Sequence, residues 1–152
     1  MNPDFRDMLS ALFAEKVEFL IVGAYALAAH GCPRATGDLD IWIRRSAENA
    51  QRVWRALERF GAPRSRLSPD DFNAPDTVFQ VGVAPRRVDI LTAIDGVSFD
   101  EAWPNRRDVV IDGHPLAVLS RDDLIRNKQA SGRPKDLADV AWLASQDATG
   151  TR

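Results

Sequence analysis

Apolar side chains at Phe5, Leu9, Leu12 and Phe13 fall on one helical face, with Asn2 placed to cap that helix and Pro3 to open it. Residues 17–22, rich in β-branched and aromatic side chains and bounded by Gly23, read as a buried strand. The alanine-rich stretch 24–30, closed by Gly31, reads as a short helix leaving that strand directly, and Cys32-Pro33 breaks it. Residues 39–43 read as a second strand. Ser46 then caps a helix whose Val53, Trp54, Leu57 and Phe60 form an apolar face and which Gly61 ends.

The pattern weakens over 62–76, where three prolines and little periodicity predict a loop with one turn at Ser68-Pro69-Asp70-Asp71. Residues 77–83 and 88–93 read as strands on either side of Ala84-Pro85-Arg86-Arg87, and 98–103 as a short helix. Asp112-Gly113, between strands at 109–111 and 116–118, signals a hairpin that His114-Pro115 should make irregular. Ser120 with Asp123 resembles a capping box for a helix over 124–130. Gly132 ends it, and Pro134 opens a last helix that offers Val140, Trp142 and Leu143 for burial. The alternation predicts an α/β fold: a mixed β-sheet with flanking helices and a C-terminal helical segment. One domain is expected, with its core over 17–118 and its C-terminal helices over 120–145.

Composition narrows the setting. The chain has 152 residues, 45% apolar and 28% charged, which excludes an intrinsically disordered chain. Its single cysteine, Cys32, excludes an intramolecular disulfide framework and a cysteine-based zinc site, and suits a cytoplasmic protein. A net charge of −2 gives no general attraction to nucleic acid or anionic membrane. The longest apolar run, 19–29, is 11 residues, whereas a membrane-spanning helix needs about 20. No membrane association is expected. The first residues also lack the basic and apolar regions of a secretory signal.

Three features carry candidate chemistry. Gly23-Ala24 joins a buried strand to a helix, a junction whose free N–H groups suit a phosphate, although such turns are more often structural. Asp38 and Asp40 stand at i and i+2 before an apolar run, so both carboxylates point to one side, about 6–7 Å apart. Like charges that close favour a cation between them, and hard oxygen ligands suit Mg²⁺. The plainer alternative is a turn-capping Asp38 and a solvated Asp40. Asp89 interrupts a strand-like apolar run, where acids are disfavoured; a salt bridge to Arg86 or Arg87 would explain it. If the two strands are neighbours, the three acids form a cluster that is too costly without metal.

In this order, Gly23-Ala24, Asp38-Leu39-Asp40-Ile41 and the later Asp89 resemble the signature of the DNA polymerase β-type nucleotidyltransferase superfamily. The wording of 23–31, with Arg34, Thr36 and Asp38 following, is similar to small bacterial stand-alone members, including the AbiEii-type toxins of abortive-infection systems. So is the tail: Leu124, Ile125, Lys128, Gly132, Arg133, Lys135, Asp136 and Asp139. One position departs from the family pattern. Ala24 stands where the superfamily has Gly or Ser, adding a Cβ and lacking a hydroxyl.

The resemblance implies a nucleotidyltransferase-like sheet and a Mg²⁺-dependent (or Mn²⁺-dependent) transfer of an NMP from an NTP to an acceptor hydroxyl. Tobe expected as acceptor are tRNA, a protein or a small molecule, and a cognate toxin or antitoxin as protein partner. It implies Asp38, Asp40 and Asp89 as the catalytic and metal-holding carboxylates. Gly23, Ala24, Arg34, Lys128 and Lys135 would bind nucleotide, with Lys128 neutralising the β- and γ-phosphates. A solvated helical lysine is the plainer reading of Lys128. Likewise Asp136 could serve only the helix dipole and Lys135–Asp139 only an i,i+4 pair. The competing functional class is a catalytically silent nucleotide-binding or protein-interaction module of the same fold.

Overall fold

The computed structural model describes residues 1–32, 37–83 and 86–148. In chain order the elements are α1 (Pro3–Ala14), β1 (Phe19–Val22), α2 (Gly23–Ala29), β2 (Leu39–Ile43), α3 (Ala47–Phe60), β3 (Val78–Val81), β4 (Val88–Leu91), α4 (Phe99–Ala102), β5 (Arg107–Ile111), β6 (His114–Val118), α5 (Arg121–Ser131) and α6 (Pro134–Ala148). Short 3₁₀ turns cover Pro69–Asn73 and Trp103–Asn105. The strands form one mixed sheet in the order β3-β4-β2-β1-β6-β5.

Strand alternation sorts the side chains into two cores. Phe19 and Ile21 of β1, Leu39, Ile41 and Ile43 of β2, and Val88 and Ile90 of β4 face α1 and α3. Leu20, Val22 and Trp42 face the other way, against α2, α4, α5 and α6. The central strands are covered on both faces, so they read as near-continuous apolar runs. Asp40 shares the second face with Trp42 but lies two residues earlier, where helical cover stops.

The predicted caps are present. Asn2 accepts from the Phe5 amide, Ser46 from the Asn49 amide and Ser120 from the Asp123 amide, but the Asp123 side chain turns to Arg126 and leaves the expected Ser120–Asp123 box half formed. Ser68 and Asp71 close a capping box on the first 3₁₀ turn, through the Ser68 amide and the Asp71 carboxylate. Two expectations need correction. The hairpin turn is tight and regular: Asp112 and Gly113 both take positive φ, and Ile111 pairs with His114. Pro115 is tolerated because β6 pairs with β1 only at Val118, beyond it. On α6, Leu143 is buried as expected, but Val140 and Trp142 are only half-buried. The inward stripe is completed by Asp136 and Asp139, both buried.

Among the described residues no helix is long and apolar enough to cross a membrane.

Candidate active site

The parallel pairing of β2 with β4 sets Asp40 directly beside Asp89, and the antiparallel pairing of β1 with β2 sets Val22 beside Asp40. Gly23 therefore enters its helix immediately next to the Asp40 carboxylate. It does so at φ +70°, a conformation costly for any residue with a Cβ. A Cβ built there would lie 3.1 Å from Asp40 Cγ and closer still to Oδ2. Glycine is required by backbone angle and by space alike.

A cleft of about 310 Å³ opens at this junction. One wall holds Gly23, Ala24, Asp38 and Asp40; the facing wall holds Lys128, Arg133, Lys135 and Asp139 from α5, α6 and their connection. The fold thus brings together both halves of the sequence pattern. Asp89 flanks Asp40 without lining the cleft. Arg34 and Thr36 lie outside the described residues.

The salt bridge from Asp89 to Arg87, one of the two explanations expected for this acid, is present and reaches further than one pair. The negative charge is not left for a metal alone to balance, because Arg87 lies across it. Its Nε donates to Asp89 Oδ1 at 2.8 Å, its Nη2 donates to Asp89 Oδ2 at 3.2 Å, and Nη2 stands 2.8 Å from Asp38 Oδ2. The carboxylates in turn raise the Arg87 pKa, the hydrogen bond that Arg87 donates to Asp89 foremost. Among the described residues Asp40 makes no ion pair of this kind. Burial first, then the charges of Asp89 and Asp38, push its carboxyl up from 3.8 to about 6.

As the side chains stand, no three His, Cys, Asp or Glu side chains among the described residues form a ready metal cluster. The donor set nevertheless fits a hard divalent cation. Asp38 Oδ1 is buried without a hydrogen-bond partner, and a buried carboxylate oxygen left that way needs a cation or a donor.

The opposite wall corrects two further expectations. Lys128 is not a solvated lysine; it is buried, with Nζ 3.3 Å from both Asp136 Oδ1 and Asp139 Oδ2. Burial lowers its pKa, while the Asp136 hydrogen bond acts against that shift. Asp139, expected as an exposed i,i+4 partner of Lys135, is buried and turns inward to Lys128. Asp136 does serve the start of α6, accepting from the Arg133 amide at 3.3 Å, but it is buried and also accepts from Arg133 Nε at 2.6 Å. That interaction, more than any other, depresses the Asp136 pKa.

His30 and Cys32 stay outside this chemistry. His30 ends α2 with Nε2 2.8 Å from the Leu119 carbonyl oxygen, and Cys32 is buried as a free thiol. Of the four tryptophans only Trp42 is fully buried; the other three are half-buried around the two cores.

Neither a family model nor a curated protein matches the sequence. Solved structures do match. The antibiotic-resistance factor ANT(2″)-Ia aligns with a TM-score of 0.64 at 18% identity, over 94% of this chain and 82% of its own. A second structure of that protein, in complex with adenylyl-2″-tobramycin, aligns with a TM-score of 0.62 at 16% identity, over 93% and 86%. A provisionally assigned nucleotidyltransferase from Thermotoga maritima aligns with a TM-score of 0.58 at 19% identity, over 95% and 96%. The fold is that of the nucleotidyltransferases. At these identities the likeness establishes the architecture, and the chemistry has to be argued from the cleft.

Proposed function

We propose that this chain is a metal-dependent nucleotidyltransferase, which moves a nucleoside monophosphate from an NTP to an acceptor hydroxyl and releases pyrophosphate. The observation that carries the reading is the two-walled cleft: carboxylates of β2 beside Gly23 on one side, Lys128, Arg133 and Lys135 on the other. A triphosphate laid across it meets cations at one end and a hard-ligand site at the other.

Asp38, Asp40 and Asp89 would hold Mg²⁺ or Mn²⁺. When bound, the ion supplies positive charge to the phosphate oxygens of an in-line displacement. The remaining work falls to the chain. Lys128, kept in place by two carboxylates, and the more exposed Lys135 draw the β- and γ-phosphates into the cleft. The amides of Gly23 and Ala24 offer donors beside them. Asp89, beside Asp40 on the neighbouring strand, would accept the proton of the acceptor hydroxyl as its oxygen bonds to the α-phosphorus. The bond from that phosphorus to the bridging oxygen breaks, and pyrophosphate leaves with the electron pair.

The acceptor is tRNA, a protein or a small molecule, and a toxin–antitoxin pair is the setting that the sequence resemblance supports. The test incubates the protein with each α-labelled NTP, Mg²⁺ or Mn²⁺, and in turn total RNA, cell lysate or an amino sugar such as tobramycin. Transferred label in one arm identifies the acceptor class. Metal-dependent NTP binding with no transfer in any arm favours the second reading, a silent nucleotide-binding module. Ala24 and the Arg87 bridge speak for that reading, while the retention of all three carboxylates speaks against it.

A further inference from the structure

We infer that Arg87 is a built-in counter-ion that holds the acidic cluster together without metal and gives up its place when a divalent cation binds. The inference rests on Asp38, Asp40 and Asp89 being the metal-holding residues.

Three observations lead to it. First, the guanidinium spans two of the three carboxylates at once, with contacts of 2.8 Å to Asp89 Oδ1 and 2.8 Å to Asp38 Oδ2. Arginine's planar fork suits it to such bridging. Second, the placement is built by the sheet. The Leu39 amide donates to the Arg87 carbonyl oxygen at 3.1 Å, so the pairing that sets Asp89 beside Asp40 also fixes the Arg87 backbone beside Asp38. Third, the bridge is incomplete and open to water. Asp38 Oδ1 is left without a donor, and the Arg87 side chain is 30% exposed, which gives it a way out into solvent.

Charge decides the competition. One guanidinium carries a single positive charge against three acids and reaches only two of them. A divalent ion carries twice that charge and takes oxygen ligands from several carboxylates. Two basic side chains of the facing wall, Lys128 and Arg133, are engaged by Asp136 and do not substitute for Arg87. Metal affinity is therefore set in part by the cost of detaching Arg87, and the protein without nucleotide should bind metal weakly.

The test measures Mn²⁺ binding to the full chain by electron paramagnetic resonance, without nucleotide, for wild type, Arg87→Gln and Arg87→Lys. Arg87→Gln is expected to bind Mn²⁺ roughly tenfold more tightly, on the scale by which partners of metal ligands alter affinity. Arg87→Lys, which keeps the charge but cannot span two carboxylates, should fall between. Equal or weaker binding by Arg87→Gln overturns the inference and leaves the metal reading standing. Absence of Mn²⁺ binding in all three proteins overturns both. A measurement on the wild type guards against a variant that fails to fold: the Arg87 Nε–H proton, identified by its loss in Arg87→Lys, is followed by NMR. Added Mg²⁺ should move it to fast solvent exchange; a resonance that stays protected at saturating Mg²⁺ overturns the inference independently.

Discussion

Gly23 and Asp40 occupy one space: the carboxylate of Asp40 sits where any side chain on Gly23 would have to go. Gly23→Ala is therefore expected to do two kinds of damage. A Cβ at φ +70° costs on the order of 1–2 kcal/mol of stability, and displacing Asp40 removes a carboxylate from the cleft. Urea denaturation should show the first effect. The second should appear as lost Mn²⁺ binding in protein that still gives the wild-type circular dichroism spectrum. Full metal affinity in Gly23→Ala would mean that Asp40 is not a ligand.

Asp40 also gives the cluster a pH dependence. Its carboxyl lies at about 6 in the folded chain against an ordinary 3.8. A carboxyl raised on folding favours the native state while it is protonated. That contribution is full below the unfolded value and is lost as pH rises through the folded one. Metal-free protein should accordingly lose stability from this group between about pH 4 and pH 6. Asp40→Asn cannot ionise, so near pH 7.5 it should exceed wild type in EDTA by about 3 kcal/mol at most. Near pH 4 the two should converge, and activity should be absent in the variant at either pH. Thermal denaturation at both pH values checks this, and equal melting at the higher pH would contradict it.

Much of this was legible in the sequence, and what was not has identifiable causes. Asp38 and Asp40 announce themselves because alternation along one strand fixes their common side. That Asp89 joins them depends on which strands become neighbours, and no local pattern encodes the parallel pairing of β2 with β4. Arg87 carried a usable signal, standing two residues before Asp89 and so on the same side of its strand. Its reach to Asp38 again needed the register. Lys128 offers two readings in the sequence, a phosphate-binding lysine or a solvated one, because charge usually marks the solvated face of a helix. Its spacing said otherwise: Leu124 and Lys128 are four apart on α5, and Asp136, Asp139 and Leu143 recur at helical spacing on α6. Charged residues at the positions of an apolar stripe signal a buried ion network.

That network should weigh unequally on stability. Lys128 has a side-chain exposure of 10% and serves two buried carboxylates, whereas Arg133 is 61% exposed. Lys128→Met removes the buried cation those carboxylates share and is expected to cost about 3 kcal/mol. Arg133→Gln should cost less than about 1 kcal/mol, as exposed partners do. Equal losses in urea denaturation would show that Lys128 is held less firmly than its contacts indicate. NTP binding should fall in both variants, since both side chains face the cleft.

Ala24 is the remaining departure from the family pattern, and it lines the cleft next to Gly23. Ala24→Ser adds a hydroxyl that can donate to an anionic phosphate oxygen. Hydrogen bonds to charged groups contribute roughly 1.5–3 kcal/mol; after some loss to exposure, about tenfold tighter NTP binding is expected, the equivalent of ~1.4 kcal/mol. Ala24→Gly should change affinity less, since it only removes a methyl group from the phosphate path. Ala24→Leu should abolish NTP binding by filling the mouth of the cleft. It should leave the melting temperature nearly unchanged, because a half-buried position at a cleft is not close-packed. Calorimetric titration with a non-hydrolysable NTP separates these outcomes. If the leucine variant binds nucleotide as well as wild type, the phosphates do not pass the Gly23-Ala24 turn, and the triphosphate must be held from the Lys128 wall alone.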